Sequence, residues 1–307
     1  MMVRGLRCHR ERGQRILERF ATLKCLEASL RRFWSGLQSL CCLVCLSIAI
    51  CGSAFADTNI LPSEVRSLQL TYDIFVGGFR AGGIELRARL EANAYELTAI
   101  TKSAGLIDYL VGFRSYAQTR GVILQRRIAP ISHHVNNFWT GDIRFVSMGY
   151  SQQIDAGIGP AYTVIHPLQQ VDEREIVPRH QRRNTMDPLS AALLSAYSSD
   201  GWGGRAPCED SIPVFDGRRR YNLVFKNAGT EKIDGPQFRG TVRKCLTSLQ
   251  RIVGFSKNPF LPRSKDLEGG EIWFAELVPS WPAVPVRFKT DIGLGNAFVH
   301  LSGHKVQ

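Results

Sequence analysis

No stretch of this 307-residue chain approaches the roughly 20 consecutive apolar residues that a membrane-spanning helix requires. The chain beyond residue 56 also lacks H-E-x-x-H, G-x-S-x-G, a P-loop and a strand-linked G-x-G-x-x-G, so no recognised hydrolytic or nucleotide-binding motif is present. There is no internal repeat, heptad or βαβ alternation, which excludes solenoids, coiled coils and parallel α/β folds. Cysteine is scarce where a disulfide-rich scaffold would need it. Six of the eight (Cys8, Cys25, Cys41, Cys42, Cys45 and Cys51) come before residue 52, leaving only Cys208 and Cys245. Nor is there a strong charge excess once the first 56 residues are set aside. They hold nine of the 39 Lys and Arg but only three of the 27 Asp and Glu, so the formal +12 falls to +6 over the rest. A balance that modest favours solubility and does not mark a nucleic-acid binder.

What is present begins with a leader. Leu40 to Cys51 is almost wholly apolar, follows Arg31 and Arg32, and leads into Gly52-Ser53-Ala54-Phe55-Ala56. This is the order of a secretory signal: a positive flank, a short apolar helix, then small residues for the peptidase. Ala54-x-Ala56 places the cleavage between Ala56 and Asp57. Ile50 stands where a lipoprotein signal has a small residue, so Cys51 is not read as an acylation site. Cys42-x-x-Cys45 has redox spacing but lies inside the leader core. The stretch before Arg31 is long for a signal flank, and a start codon downstream of Met1 is expected. The predicted organisation is therefore an N-terminal extension plus signal peptide over 1–56, then a single β-rich periplasmic domain over 57–307. Two thiols alone in an exported domain point to one bridge, Cys208 to Cys245.

The domain itself reads as strands. Leu68, Leu70, Tyr72, Ile74 and Val76 alternate with Gln69, Thr71, Asp73 and Phe75, and Ile84, Leu86, Ala88 and Leu90 alternate with Glu85, Arg87, Arg89 and Glu91. A period of two puts one set on each face. Tyr95, Leu97 and Ala99 continue the pattern as a third strand of an antiparallel meander. Similar runs recur from Tyr116 to Leu124, Ile143 to Tyr150, Tyr162 to Ile165 and Arg219 to Phe225. A hairpin joins Leu223–Phe225 to Phe238–Leu249, with its turn at Asn227–Gly229 or at Asp234-Gly235. The last strands are Glu271–Val278, Val284–Thr290 and Asn296–Leu301. About a dozen strands in this arrangement predict a mostly β protein: an antiparallel, strongly curved sheet or open barrel or spiral. One main helix is predicted over about 187–198, with Asp187 as N-cap, Pro188 in the first position and an apolar stripe of Leu189, Ala192, Leu193, Ala196 and Tyr197. A shorter helical turn runs from Gly105 to Val111. Gln169 to Thr185, with Arg179, His180, Arg182 and Arg183, reads as an exposed basic connection.

Candidate chemistry is sparse. His133-His134 could ligate a metal with Asp142 or His166, but neighbours on a strand point to opposite faces, so no metal site is assigned. No catalytic residue and no cofactor are assigned either. Arg218, Arg219 and Arg220, after a tight turn at Asp216-Gly217, form a candidate anion site, since guanidinium forks hold phosphate or carboxylate through paired hydrogen bonds. Phe138, Trp139, Trp202 and Phe215 are candidate lining for an apolar ligand cavity.

Several short motifs, in order along the chain, carry a likeness to a known family. They are Tyr72-Asp73 with the glycine-rich turn after it, Gly105-Leu106, Asp187-Pro188-Leu189-Ser190, Val214-Phe215-Asp216-Gly217-Arg218-Arg219 and Ile252-Val253-Gly254-Phe255. Over residues 66 to 302 the chain resembles the family catalogued as domain of unknown function 3108. Cys208 and Cys245 stand where alphaproteobacterial members are similar in carrying cysteines. The resemblance implies an envelope protein without a defined catalytic set. A more distant likeness, to curved-sheet lipoprotein carriers, implies a concave sheet able to shelter acyl chains. The expectation is a non-enzymatic periplasmic protein of envelope maintenance, whose partners are lipid, lipoprotein or other envelope components and not nucleic acid. An envelope-directed hydrolase and a scaffolding protein are the alternatives.

Overall fold

The alternating runs become antiparallel strands in the computed structural model, which describes residues 66–124, 127–139, 141–151, 159–166, 174–201, 206–235, 237–255, 268–291 and 295–307. The leader, its Ala56/Asp57 junction and Trp202 lie outside the described residues. The first half contains β1 (Arg66–Val76), β2 (Phe79–Leu90), β3 (Ala94–Ser103), α1 (Gly105–Val111), β4 (Arg114–Leu124), β5 (Arg127–Trp139), β6 (Asp142–Tyr150) and β7 (Pro160–His166). The second contains α2 (Pro188–Ser198), β8 (Asp210–Phe215), β9 (Arg220–Asp234), β10 (Arg239–Val253), β11 (Glu268–Ala275), β12 (Val284–Asp291) and β13 (Asn296–Val306). Among the described residues these thirteen strands make one sheet, in the order β7-β6-β5-β4-β3-β2-β1-β13-β12-β11-β10-β9-β8. Two meanders are thus joined where the first strand pairs with the last, Gln307 N–H donating to Ser67 O at 2.8 Å. No helix of the described residues is long and apolar enough to cross a membrane.

Register explains the interior. Leu68, Leu70 and Tyr72 of β1 stand opposite Ala88, Leu86 and Ile84 of β2, which in turn face Leu97, Ala99 and Thr101 of β3. One phase of the alternation on three successive strands therefore builds one continuous apolar surface. Leu68 and Leu70 are fully buried, and burial of each side chain is worth about 1.5–3 kcal/mol.

Among the described residues the sheet does not close through a hydrogen-bonded ladder, and β7 and β8 are its edges. Its ends nevertheless meet through side chains. Val146, Met148 and Tyr150 of β6 cluster with Val177 and with Phe215 of β8. A Cβ added at Gly217, just after β8, would stand 2.3 Å from Val146 Cγ1. Val177 and Met186, from the described part of the β7–β8 connection, lie at the same junction. Met186 N–H donates to Pro213 O and Phe215 N–H donates to Met186 O, both at 3.0 Å, which covers part of the β8 edge.

One open alternative is decided and two expectations need correction. The β9–β10 turn is at Asp234-Gly235, with Gly235 N–H donating to Phe238 O at 3.0 Å. The other turn candidate, Asn227–Gly229, stays within β9 as a bulge: Thr230 pairs with Arg243 and Asn227 with Cys245, so two residues face Lys244. The described part of the basic connection is not simply exposed. Val177 is fully buried, Arg182 Nε and Nη2 donate to its carbonyl at 2.9 and 2.7 Å, and the guanidinium lies over the Phe215 ring. Finally, α2 has the predicted start but not the predicted single stripe. It buries Ser190, Ala191, Leu193, Ser195, Ala196 and Ser198 while Ala192 is exposed, because the helix packs on two sides, against β8 and against the concave sheet.

Candidate functional site

The start of α2 is fixed by a buried polar node. Asp187 Oδ1 accepts from Leu189 N–H and Ser190 N–H, each at 3.0 Å, and Oδ2 accepts from Ser190 Oγ at 2.5 Å. These caps satisfy donors that a helix N-terminus otherwise leaves without partners. The carboxylate is fully enclosed, so it also needs partners from the sheet. Thr119 of β4 donates to Oδ1 at 2.8 Å, and His133 Nδ1 of β5 lies 3.1 Å from the same oxygen. Thr119 and His133 are register partners, so adjacent strands deliver both groups to one point. Tyr95 of β3 adds a 2.7 Å hydrogen bond to Ser190 Oγ.

Burial works against the charge on Asp187. The opposing charge of His133 and the hydrogen bonds from His133 and Ser190 outweigh it, holding the carboxyl below its ordinary range. Among the described residues His133 Nε2 has no hydrogen-bond partner. Strand alternation sends His134 outward instead, where Nδ1 is 3.0 Å from Ser147 Oγ. Asp142 pairs with Arg144 and His166 stacks on Phe145, so neither joins His133. Among the described residues no three His, Cys, Asp or Glu side chains gather as a metal site would need.

Beside this node, the concave face of β1–β3 and β11–β13 and the flank of α2 enclose a cavity of about 440 Å³. Leu70, Leu86, Leu97, Leu193, Val284 and Phe288 typify its walls, which are almost entirely hydrocarbon. Three lining residues have polar atoms buried without hydrogen-bond partners among the described residues, Tyr72 Oη, Trp281 Nε1 and Arg287 Nε. Burial raises the Tyr72 phenol far above its usual range, so it remains a neutral donor. Each orphan group costs about 1–3 kcal/mol unless something enters to accept from it.

Of the residues expected to line an apolar cavity, the three that are described are not among its walls. Phe138 is 42% exposed, Phe215 is 1% exposed in the packed junction between the sheet ends, and Trp139 borders a different, basic cavity. Aromatic content drew attention to these residues, whereas the apolar cavity is lined chiefly by the aliphatic phase of β1–β3. The arginine run is also divided. Arg218 and Arg219 line the basic cavity with Trp139, while Arg220 turns aside and donates through Nη1 to Asn222 Oδ1 at 2.7 Å. Cys208 and Cys245 are joined as a disulfide, Cα to Cα 5.9 Å. Thr119 had no distinct signal in the sequence; His133 stood out only as half of a His-His pair and Ser190 only within the Asp187-Pro188-Leu189-Ser190 motif, so of the node's members Asp187 alone had its role, capping, legible.

Several motif residues have physical reasons. Asp187 and Ser190 form the cap. Gly217 has φ 92° and, as noted, no room for a side chain beside Val146. Gly254 has φ 88°, and a Cβ there would lie 2.2 Å from Arg218 O. Both glycines allow the end of β10 and the β8–β9 turn to come together where the sheet ends meet.

Comparison with curated proteins gives no match. Among solved structures, the chain is similar to a β-barrel-like protein of domain of unknown function DUF1849 from Brucella abortus. The two share 10% identity, with a TM-score of 0.46 covering 78% of this chain and 98% of that one. A family model described as "Protein of unknown function (DUF3108)" matches residues 71–302, and the chain belongs to that family.

Proposed function

We propose that this protein is an exported, non-enzymatic carrier that holds the acyl chain of a lipid or lipoprotein between α2 and the concave sheet, in support of the cell envelope. The observation that carries the reading is the hydrocarbon-walled cavity of about 440 Å³, within the range of about 300–1,000 Å³ usual for small-molecule sites. Each methylene removed from water there gains about 0.8 kcal/mol. Tyr72 Oη and Trp281 Nε1 suit a chain that ends in a carbonyl or carboxyl group, because both donors would find an acceptor. The leader supplies the compartment in this reading, and the envelope supplies the ligand.

A hydrolase reading draws on His133 and Asp187, which have the relation of a general base to its orienting carboxylate. It is less well supported. Among the described residues His133 Nε2 has no serine, threonine or cysteine partner to activate.

The test is saturable uptake of a long-chain fatty acid reporter by the purified protein, compared with the variant Ala192→Trp. Ala192 lies on the cavity wall of α2 but is exposed, so the larger ring enters the cavity without replacing packed core. Uptake should fall at least about tenfold, the effect of losing two buried methylenes, with the melting temperature retained. Equal uptake by both proteins, or none by either, would refute the carrier.

A further inference from the structure

The apolar cavity between α2 and the concave sheet is lined by a single charged side chain, Arg287 of β12, and by no aspartate or glutamate. Arg287 is half-buried, and its enclosed Nε has no hydrogen-bond partner among the described residues. No ion pair joins it to any of them either; its guanidinium lies over the Trp273 ring, 5.6 Å from the ring centre. Arg287 is also the residue that this cavity shares with the polar one beside it, where the acids are Asp73 and Asp234. Both acids are engaged elsewhere: Arg80 Nε donates to Asp73 Oδ1 at 2.9 Å and Arg239 Nε to Asp234 Oδ1 at 2.8 Å. His300 is the register partner of Arg287. Burial first, and then the Arg287 charge, hold its imidazole below the ordinary range, so it is a neutral neighbour and not a second cation.

We propose that the cavity takes a free long-chain fatty acid, with its ionised carboxylate on Arg287 and its chain among Leu70, Leu86 and Leu193. The inference rests on the acyl-chain reading and narrows it. A guanidinium keeps its charge when enclosed, and a charge beside hydrocarbon is costly unless it is paired. All three polar atoms that line the cavity without partners are donors, Arg287 Nε, Tyr72 Oη and Trp281 Nε1. Tyr72 and Arg287 come from the two strands that flank β13, opposite its neighbouring residues Leu301 and His300, and Trp281 lies just before β12. An ester- or amide-linked acyl chain offers a carbonyl to the phenol or the indole but no charge to Arg287. A carboxylate offers both: its two oxygens match the paired N–H groups of one guanidinium edge, and one cation suits a monoanion.

Fluorescence titration of the purified protein with cis-parinaric acid, and with its methyl ester, compares one chain with and without the charge. The acid should bind at least about tenfold more tightly than the ester, the usual effect of a charge-assisted hydrogen bond. This comparison uses the wild type alone and so does not depend on any variant folding. In Arg287→Gln the acid and the ester should bind alike, at the level of the ester. Without ligand, Arg287→Gln should melt within about 2 °C of the wild type, because the substitution removes no ion pair. Equal affinity of the wild type for acid and ester, or a preference for the acid that survives Arg287→Gln, overturns the carboxylate site while the carrier stands. A melting temperature many degrees lower would show that the fold already answers the Arg287 charge, and overturns the site in the same way. Uptake of neither probe overturns the carrier and this site together, so the two failures are distinguishable.

Discussion

Replacing Asp187 by alanine should remove about 4 kcal/mol of folding stability. Loss of an N-cap costs about 1 kcal/mol. The hydroxyls of Thr119 and Ser190 and the Nδ1 of His133 then lose their shared acceptor, each worth about 1–3 kcal/mol when buried. Thr119 can still turn to Ser132 O, 3.3 Å away, and Ser190 retains Tyr95, which keeps the sum near 4. At about 2–4 °C per kcal/mol for a domain of this size, the melting temperature should fall by about 8–16 °C. Asp187→Asn preserves the shape and one cap oxygen but not the charge, and should cost about half as much. The carboxyl has a lowered pKa in the folded state, so the folded protein holds fewer protons there than the unfolded chain does. Its contribution is therefore complete above a pH of roughly 4 and is lost as pH falls through the folded value. The gap between wild type and Asp187→Asn should narrow by about 1.4 kcal/mol per pH unit below that point, until the folded pKa is reached. Urea unfolding at pH 7, 5 and 3 measures both effects. An alanine variant within 1 kcal/mol of wild type at pH 7, or a gap as wide at pH 3 as at pH 5, would show that the node is not an ionised cap.

Reduction of the Cys208–Cys245 bridge, which closes a separation of 37 residues, should lower stability by about 4 kcal/mol on the chain-entropy model; unfolding curves that coincide with and without reductant would contradict this. Gly254→Ala should destabilise by at least about 1–3 kcal/mol from backbone strain at φ 88°, with more from the clash at Arg218 O. An Ala variant with an unchanged denaturation midpoint would mean that the junction can relax.

Elements set by local chemistry were legible in the sequence. The period of two in β1–β3 gives the correct faces, and Asp187-Pro188 gives the start of α2. The hairpin was ambiguous because Asn227–Gly229 and Asp234-Gly235 both have turn chemistry; pairing across thirty residues decides it. The site was mostly illegible for a related reason. Thr119 and His133 are ordinary strand residues until the sheet curls, and their acceptor lies 68 positions beyond Thr119. Arg218 and Arg220 are alike in sequence, yet strand geometry sends one into a cavity and the other to Asn222.

The placement of α2 follows from what an open sheet requires. A rolled sheet without a closing ladder has only strand twist and its bulges in the backbone to set its curvature. Groups that reach across the interior add to these, and α2 reaches to both meanders. Its first turn is tied to β3, β4 and β5 through Tyr95, Thr119 and His133. Its last turn is tied to the second meander: Cys208 N–H donates to Ser198 O at 3.1 Å, Ser198 Oγ donates to Asp210 at 3.0 Å, and the disulfide continues the link into β10. A strut fixed at both ends by polar and covalent bonds does not require a fully packed middle, and the apolar cavity lies along that middle, from Leu189 to Ala196. Fastening the helix at its ends thus allows an interior void that packing alone would tend to collapse.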